Sequence, residues 1–449
     1  MSPAPPSTQR TPEDPVAQGM RQCAREVFDS ALAQCNIAVA FSRSLRCHNG
    51  QLAVGERSYD LRAFAQIAAV SIGKAGHSMA EVLANLVPIE ISGIAACPEK
   101  PQSPVAGFRY FYGGHPLPNE DSLHAGTAIL NLLRAMPERS LVLFLISGGA
   151  SAVAEKPLAA NLTLSDIVET YRVLVHSGAP IAEINAIRKH LSAIKGGRMA
   201  QAAVESTQVS LLVSDVPDHA LDALASGPTM PDSSTVADCY EIASRYGMLP
   251  RFPECVRPVF NDRRLQETPK PGDPAFANSS FVTLLSNHTA VEAASQHAKW
   301  RGFDVEVDNS CDDWDYVKAA NYLLARLRSL REPSSRVCLI SGGEVTVTVG
   351  STSGVGGRNQ QFALYCAQRI EGERITVLSA GTDGIDGNSP AAGALVDGST
   401  MLRARQRGLD ATSALTQFDA FPLLDSIGDA IVSGPTGNNV RDLRIMFAY

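Results

Sequence analysis

The run LVLFLISGGASA at residues 141–152 decides the fold class. Six apolar residues without a polar break are followed by a serine, two glycines and further small residues. A short, continuous apolar run that ends in turn residues is typical of a strand buried on both faces, as in a parallel sheet covered by helices. Similar runs occur near 66–72, 89–96 and 209–214. Amphipathic stretches separate these runs, and the alternation predicts a doubly wound α/β domain with a mostly parallel sheet.

The remaining elements follow from the same periodicity. In the first part of the chain, helices are predicted near 76–87, 122–136, 164–176, 184–204 and 235–246. In the second part, strands are predicted near 281–286, 304–308, 336–349 and 375–380, and helices near 289–301, 314–330, 358–370 and 398–407. The second part therefore reads as another α/β domain.

Chain length and composition predict where the domains divide. A chain of 449 residues exceeds one ordinary core, and the Pro-rich, polar stretch 251–280 suits a connection. We expect a disordered tail at 1–18, a doubly wound first domain at 19–250 and a second α/β domain at 281–449. The active site is expected in the interdomain cleft. As an alternative, the last ~25 residues pack back on the first domain.

The bulk composition limits the partners. A formal net charge of −7 argues against a nucleic acid or an anionic membrane as the main partner, because such binding needs clustered Lys and Arg. No apolar stretch is long enough for a membrane span, and no targeting segment is recognisable. Nine scattered cysteines without a C-x-x-C pair predict reduced thiols and a cytoplasmic protein. The sequence leaves the oligomeric state open between a monomer and a homodimer.

Two strand ends carry candidate anion-binding loops. After the first strand, Lys74 stands between glycines at the start of a helix, where free N–H groups and a mobile cation favour an anion; a helix entry with a solvated lysine is the alternative. After the third strand, Gly148, Gly149 and Ser151 suit a phosphate chain, although a tight turn would also use glycines. Neither loop has the Walker A or the G-x-G-x-x-G pattern.

The predicted helix 184–204 is rich in cations. Its first turns carry Asn185, Arg188 and Lys189, which would suit the wall of a nucleotide site. A solvated basic helix face explains the same pattern.

Two aspartates that follow strands are candidate Mg²⁺ ligands. Phosphotransferases hold Mg²⁺ through one or two carboxylates together with phosphate oxygens, and Asp215 comes directly after the strand at 209–214. Asp215 is therefore a candidate metal ligand or base. Asp383, in the segment GTDGIDG, is a second candidate metal ligand. That segment lacks the spacing of a calcium-binding EF-hand.

Arg358 follows a glycine turn at a predicted helix start, where its guanidinium could grip a carboxylate or a transferring phosphoryl group. His115, in Gly-Gly-His-Pro, is equally compatible with stabilising a turn and with catalysis.

Together these segments resemble the MOFRL-type glycerate 2-kinases, a family often misnamed hydroxypyruvate reductase. The resemblance spans most of the chain. Its carriers are SIGKAGHSM around Lys74, GGHPLPNEDS from Gly113, LISGGASA from Leu145, INAIRKHLSAIKGGRMA from Ile184, LVSDVPDHALDALASGPTMPD from Leu212, GGRNQQFAL from Gly356, GTDGIDG from Gly381 and SGPTGNNVRDL from Ser433.

The resemblance implies an ATP-dependent kinase that uses Mg²⁺ and phosphorylates a small hydroxy acid, with D-glycerate converted to 2-phosphoglycerate. It also implies a Rossmann-like first domain and a smaller, mixed α/β second domain, with ATP and Mg²⁺ at the cleft between them. It places Lys74 and Arg358 in the catalytic centre. The alternatives are a kinase of a larger sugar acid, an NAD(P)H-dependent hydroxypyruvate reductase, and a non-catalytic binding protein. The reductase lacks support from a dinucleotide-binding fingerprint, and the binding protein would be favoured only if Lys74 or Arg358 were missing.

The sequence departs from the family pattern at five positions: Asn119, Ala150, Pro390, Asn438 and Arg441. Losing an aspartate at 390 and gaining a guanidinium at 441 predicts a more positive acceptor region. If both positions reach the pocket, we expect a longer or more carboxylated hydroxy acid to be accepted at least as well as glycerate. The alternative is that Arg441 points to solvent.

Overall fold

The computed structural model describes residues 14–332, 334, 336–350 and 354–449. The chain forms two compact units. The first, here called the Rossmann unit, consists of Cys35–Ser286 and Gly437–Val440. The second, here called the mixed unit, consists of the described residues up to Gln34 together with Asn287–Thr436 and Arg441–Tyr449.

The strands of the Rossmann unit are β1 (Leu45–His48), β2 (Gln51–Val54), β3 (Arg57–Asp60), β4 (Gln66–Ile72), β5 (Ser92–Cys97), β6 (Phe108–Tyr112), β7 (Ser140–Ser147), β8 (Thr207–Val213) and β9 (Ser279–Leu285). Those of the mixed unit are β10 (Asp304–Val307), β11 (Val337–Gly342), β12 (Ile375–Gly381), β13 (Gly393–Asp397), β14 (Ala430–Ile431) and β15 (Asp442–Ala448).

The α-helices, in chain order, are α1 (Pro15–Gln34), α2 (Ile37–Ser44), α3 (Gly76–Leu86), α4 (Glu120–Arg134), α5 (Ala150–Val153), α6 (Leu164–Val175), α7 (Ile181–Leu191), α8 (Arg198–Ala202), α9 (Val236–Arg245), α10 (Arg257–Asn261), α11 (Asn287–Trp300), α12 (Tyr316–Arg331), α13 (Arg358–Arg369), α14 (Thr400–Gln406), α15 (Ala411–Thr416) and α16 (Ala420–Ser426). Short 3₁₀ helices lie at Leu61–Ala63, Asp218–Ser226, Leu249–Arg251 and Pro274–Phe276. None of these helices combines the length and the apolar character that a bilayer crossing requires.

The main sheet of the Rossmann unit has the strand order β6-β5-β4-β7-β8-β9, and all its pairings are parallel. Every residue of β7 is buried, as the apolar run at 141–146 predicts for a strand covered on both faces. The order reverses between β4 and β7, so these two strands enclose the topological switch point of the sheet. In doubly wound sheets, ligands bind at that point, beyond the carboxyl ends of the strands.

The mixed unit has a sheet of order β10-β11-β15-β12-β13-β14. Only β10 and β11 pair in parallel; β11, β12, β13, β14 and β15 pair antiparallel. A core of buried residues from α12, α13 and the sheet covers one face, and α1 and α11 cover the other. The predicted fold class, a doubly wound unit beside a mixed α/β unit, is confirmed.

The structure corrects the predicted course of the chain near its ends. The tail predicted at 1–18 is wrong for its last residues, because α1 begins at Pro15; the first thirteen residues lie outside the described part. Helix α1 packs in the mixed unit rather than with the first sheet. At the other end, Gly437–Val440 belong to the Rossmann unit, as the alternative for the last ~25 residues has it. The final strand, β15, instead lies at the centre of the mixed sheet.

Internal boundaries also differ. The stretch 251–280 is not a bare connection, since it holds α10, and β9, expected in the second domain, pairs with β8 instead. The helix predicted at 184–204 breaks into α7 and α8, because Gly196 and Gly197 adopt positive φ values of 56° and 81°. The strand predicted at 336–349 ends at Gly342.

Candidate active site

The turns after β4 and β7 form one continuous surface at the switch point. The N–H of Lys74 donates to the carbonyl of Gly148 (2.9 Å), and the N–H of Ala75 donates to Oγ of Ser147 (3.0 Å). Gly73 has a φ of 116°, and a Cβ there would overlap Ser147, so only glycine allows this approach. The side chain of Lys74 is exposed. The two loops predicted to bind anions therefore meet, with Lys74 beside them.

Asp215 joins this surface from the end of β8. Its carboxylate lies so close to Gly148 that a Cβ on Gly148 would overlap it. The aspartate is half-buried. The structure thus brings together three of the predicted site residues, Lys74, Gly148 and Asp215, although they lie far apart in the sequence.

His115 reaches the same surface from the connection between β6 and α4. A Cβ on Gly149 would stand 3.0 Å from Cδ2 of His115 and 3.1 Å from Cγ of Lys74, so both side chains flank this glycine. Gly113 lies directly against the backbone of Val153, which lets the connection cross over α5. Burial and the nearby charge of Lys74 lower the pKa of His115 below 6.5. The sequence left the role of this histidine open.

The three residues on α7 that were predicted to flank the nucleotide differ in their contacts within the protein. Lys189 is buried and forms ion pairs of 3.0 Å with both Asp222 and Asp232. Its charge is therefore balanced within the protein. The guanidinium of Arg188 lies 4.7 Å from the ring centre of Tyr171, and Asn185 is largely buried. Ser151, in the first turn of α5, is half-buried next to Gly149.

Arg358, the catalytic arginine predicted from sequence, lies in the mixed unit at the start of α13. Its Nε donates to Oδ2 of Asp442 (2.6 Å) and its Nη2 to Oδ1 of Asp442 (3.1 Å), while Nη2 also pairs with Glu344 (2.8 Å). Burial alone would lower the pKa of Arg358. The hydrogen bonds and the negative charge of Asp442, together with the charge of Glu344, outweigh burial and raise the pKa above its usual value. Arg358 is thus held as a fixed cation whose side chain remains 38% exposed.

Asp386 fixes the start of α13. Its carboxylate accepts hydrogen bonds from the N–H groups of Asn359 (3.1 Å) and Gln360 (2.9 Å), the donors that a helix start leaves unsatisfied. A Cβ on Gly357 would overlap this carboxylate. Burial raises the pKa of Asp386, and the charge of Asp442 raises it further, against the hydrogen bonds from the helix, to about 7.

A cavity of about 710 Å³ opens beside Arg358. Its acidic lining consists of Asp313, Glu344, Asp383 and Asp386. Asp383, the second predicted metal ligand, is half-buried and accepts a hydrogen bond from the N–H of Ile385 (3.1 Å). The sequence analysis missed Glu344, Asp386 and Asp442 as site residues, although each stands in a glycine-containing segment at a strand end.

The structure does not support the predicted role of Arg441 as an uncompensated positive charge in the acceptor region. This arginine is buried and donates two hydrogen bonds of 2.6 Å to Asp312, so its charge is compensated and the expected excess of positive charge does not arise there. Pro390 is exposed. Asn119 accepts a hydrogen bond from the N–H of Ser122 (2.9 Å) and caps α4.

The carboxylates can be tested as a metal site. Within the described residues, no three His, Cys, Asp or Glu side chains converge as a set of metal ligands. Proteins nevertheless often bind Mg²⁺ through one or two carboxylates together with the phosphate oxygens of a nucleotide. Asp215, against Gly148, fits that arrangement.

A sheet of this strand order, with a lysine and an aspartate in the turns at its switch point, places the chain among the doubly wound α/β proteins. Residues 337–442 match the family described as the MOFRL family, and residues 23–261 match a family described as a domain of unknown function. A D-glycerate 2-kinase of Thermotoga maritima is 36% identical over 387 residues, 84% of this chain and 89% of that relative. The chain belongs to the MOFRL-type glycerate kinase family, and the predicted resemblance is confirmed.

Other relatives agree on the fold and differ in name. The crystal structure of the Thermotoga maritima glycerate kinase is similar with a TM-score of 0.84 at 31% identity, covering 96% of this chain and 100% of that one. A protein of Agrobacterium vitis that bears the name hydroxypyruvate reductase is 34% identical over 432 residues, 94% of this chain and 93% of its own length.

Proposed function

We propose that this chain transfers the γ-phosphoryl group of ATP to a hydroxyl of a small hydroxy acid, with the 2-hydroxyl of D-glycerate as the acceptor. The observation that carries the proposal is the meeting of Lys74, Gly148 and Asp215 at the switch point of the Rossmann unit. Phosphoryl transfer depends mainly on positioning and charge neutralisation, and these groups supply both.

The Rossmann unit provides the phosphate-binding groups. The backbone at Gly148 and Gly149, with Ser151, would receive the phosphate chain, and Lys74 would span the γ-phosphate and the attacking hydroxyl. Asp215 would hold Mg²⁺, whose contribution is to neutralise charge on the phosphate oxygens. Carboxylate chemistry and position support this role for Asp215.

Residues of α7 serve the nucleotide less directly than the sequence suggests. The prediction that Arg188 and Asn185 flank the nucleotide stays a prediction. Lys189 is paired with two carboxylates, Asp222 and Asp232. In this proposal it therefore stabilises the part of α7 that borders the nucleotide and does not bind phosphate itself.

In the mixed unit, Arg358 is proposed to stabilise the equatorial oxygens of the transferring group or to hold the acceptor carboxylate. A guanidinium already held by Asp442 keeps its orientation and presents its remaining N–H groups. Asp383 stays a predicted second ligand of Mg²⁺; its place on the cavity beside Arg358 supports the idea that it faces a ligand.

The test uses purified full-length protein, ATP with Mg²⁺, and a panel of hydroxy acids that includes D-glycerate and four-carbon sugar acids. ADP release that requires D-glycerate, with 2-phosphoglycerate as the product, is the expected result. ADP release with larger acids alone would identify a different acceptor. No ADP release with any acid would overturn the proposal.

The reductase name of some relatives makes a distinct prediction. A hydroxypyruvate reductase would oxidise NADH or NADPH in the presence of hydroxypyruvate and without ATP. We expect no change in their absorbance, because the sequence has no G-x-G-x-x-G fingerprint. Protein-dependent oxidation would favour the reductase.

We further propose that the protein works in the cytoplasm, since its nine cysteines are all free thiols. A homodimer remains a hypothesis that sedimentation would test.

A further inference from the structure

We infer that His115 is a catalytic base that receives the proton of the acceptor hydroxyl during phosphoryl transfer. The inference rests on the proposed function and adds a residue to it. It follows from the position of the imidazole, from its lack of a structural task and from its protonation state.

The chain is shaped to deliver His115 to the switch point. Strand β6 lies at the edge of the sheet, two strands away from β4, so the connection after it must turn back to reach the centre. Gly113 allows that course, because a side chain there would collide with the backbone of Val153 in α5. The imidazole then stands over Gly149, with Nε2 3.2 Å from the point where a Cβ of that glycine would lie.

His115 has no hydrogen-bond partner among the described residues, which distinguishes it from structural histidines of the same unit. The ring nitrogens of His190 bond to the carbonyl of Ala186 (2.8 Å) and to Glu267 (2.9 Å). His77 bonds to the hydroxyl of Tyr110 (2.9 Å). A structural histidine usually satisfies its ring in this way. His115 is partly exposed, and its ring nitrogens stay available.

Burial, and then the positive charge of Lys74 from the turn after β4, lower the pKa of His115 and favour the neutral ring. The carboxylates of the neighbouring segments do not offset this lowering: Asp121, in the first turn of α4, accepts the N–H of Tyr112 (3.2 Å), and Asp215 lies against Gly148. A neutral imidazole near the operating pH is suited to accept a proton.

The step balances as follows. The acceptor oxygen forms a bond to the γ-phosphorus, and the bond from that phosphorus to the bridging oxygen breaks, its electron pair leaving on ADP. The hydroxyl proton passes to Nε2 of His115, and the imidazolium then releases it to water. In the proposed function Lys74 binds the γ-phosphate and Asp215 holds Mg²⁺, so the imidazole that flanks Gly149 is the group left to accept this proton.

The test compares His115→Gln and His115→Asn with His124→Gln, a matched control because His124 is an exposed histidine on α4. The values of kcat and of KM for ATP and D-glycerate are measured from pH 5 to 9. We expect both His115 variants to lose kcat by on the order of a hundredfold with KM values within about threefold of wild type, because a general base acts in the transition state. The control should match wild type.

The pH profile adds a readout that a structural role would not move. In wild type, kcat/KM should fall as the pH drops through an apparent pKa below 6.5, and this limb should disappear in His115→Gln. Flat wild-type activity over this range overturns the inference without any variant, even if the variants do not fold. Variants with near-normal kcat, or with a raised KM alone, also overturn it. If wild type consumes no ATP with any hydroxy acid, the proposed function fails and the inference fails with it.

Discussion

The backbone N–H of Lys74 donates a 2.9 Å hydrogen bond to the carbonyl oxygen of Gly148. These residues belong to turns after two strands, β4 and β7, that lie side by side at the switch point. Together with the hydrogen bond from the N–H of Ala75 to Oγ of Ser147, it joins the turn that carries the lysine to the glycine turn after β7. Any change in either turn should affect the other.

Replacing Lys74 with methionine should lower kcat by a factor on the order of a thousand, because the ammonium would neutralise charge that develops in transfer. The side chain is exposed, so the melting temperature should barely change. Steady-state kinetics with D-glycerate and a thermal melt measure both effects. Lys100→Met, at another exposed lysine of the Rossmann unit, is the control. Near-normal turnover of Lys74→Met would remove this lysine from the centre.

Gly148→Ala should abolish most activity while the protein still folds. The added Cβ would occupy the position of the Asp215 carboxylate and push that aspartate from its place. We expect a larger loss of kcat than in Gly19→Ala, where a Cβ meets nothing within 4 Å. Equal activity of the two variants would mean that the contact between Gly148 and Asp215 has no role in turnover.

The sequence was sufficient to predict the doubly wound fold because buried parallel strands leave continuous apolar runs, as in β7. It also predicted Lys74, Gly148 and Asp215 as site residues, since strand ends are where such sheets bind ligands, and the structure brings these three together; their roles stay predictions. The pairing of Lys189 could not be predicted, because its partners Asp222 and Asp232 come from distant loops. The position of β15 could not be predicted either, because the apolar pattern of a buried strand does not show which sheet the strand joins.

Arg358→Lys should be almost as inactive as Arg358→Met, with kcat lowered by on the order of a thousandfold. A single ammonium cannot reproduce the two parallel hydrogen bonds to Asp442 while also reaching Glu344. The control is Arg109→Lys, on β6. Full activity of Arg358→Lys would show that only the positive charge matters.

Asp386 should make stability depend on pH. Its pKa is about 7 in the folded protein, whereas the ordinary value for an aspartate is 3.8. Between about pH 4 and about pH 7 the folded state therefore binds a proton that the unfolded state does not. The free energy of unfolding should then decrease as the pH rises from about 4 to about 7. Thermal or urea melts across this range measure it. In Asp386→Asn, this part of the pH dependence should vanish. A slope that persists unchanged would assign the titration to another group.

Arg441→Asn tests the role of the arginine that departs from the family pattern. In the structure its guanidinium donates two hydrogen bonds to Asp312, and these, against the effect of burial, lower the pKa of Asp312. Removing one partner of a largely buried pair leaves a carboxylate without its counter-charge, so we expect a loss of stability of roughly 3 kcal/mol. Because Arg441 adopts a positive φ of 71°, which asparagine tolerates more easily, backbone strain would not add to this loss.

The double variant Arg441→Asn with Asp312→Asn separates this charge effect from lost packing. It removes both charges and should regain most of the stability, which a double-mutant cycle with urea melts would measure. The ratio of kcat/KM for D-glycerate to that for four-carbon sugar acids should be the same in wild type and in Arg441→Asn. The reason is that the positive charge of Arg441 is compensated by the carboxylate of Asp312. A shift of that ratio toward D-glycerate in Arg441→Asn would instead show that Arg441 favours the longer acids, as the sequence alone predicts.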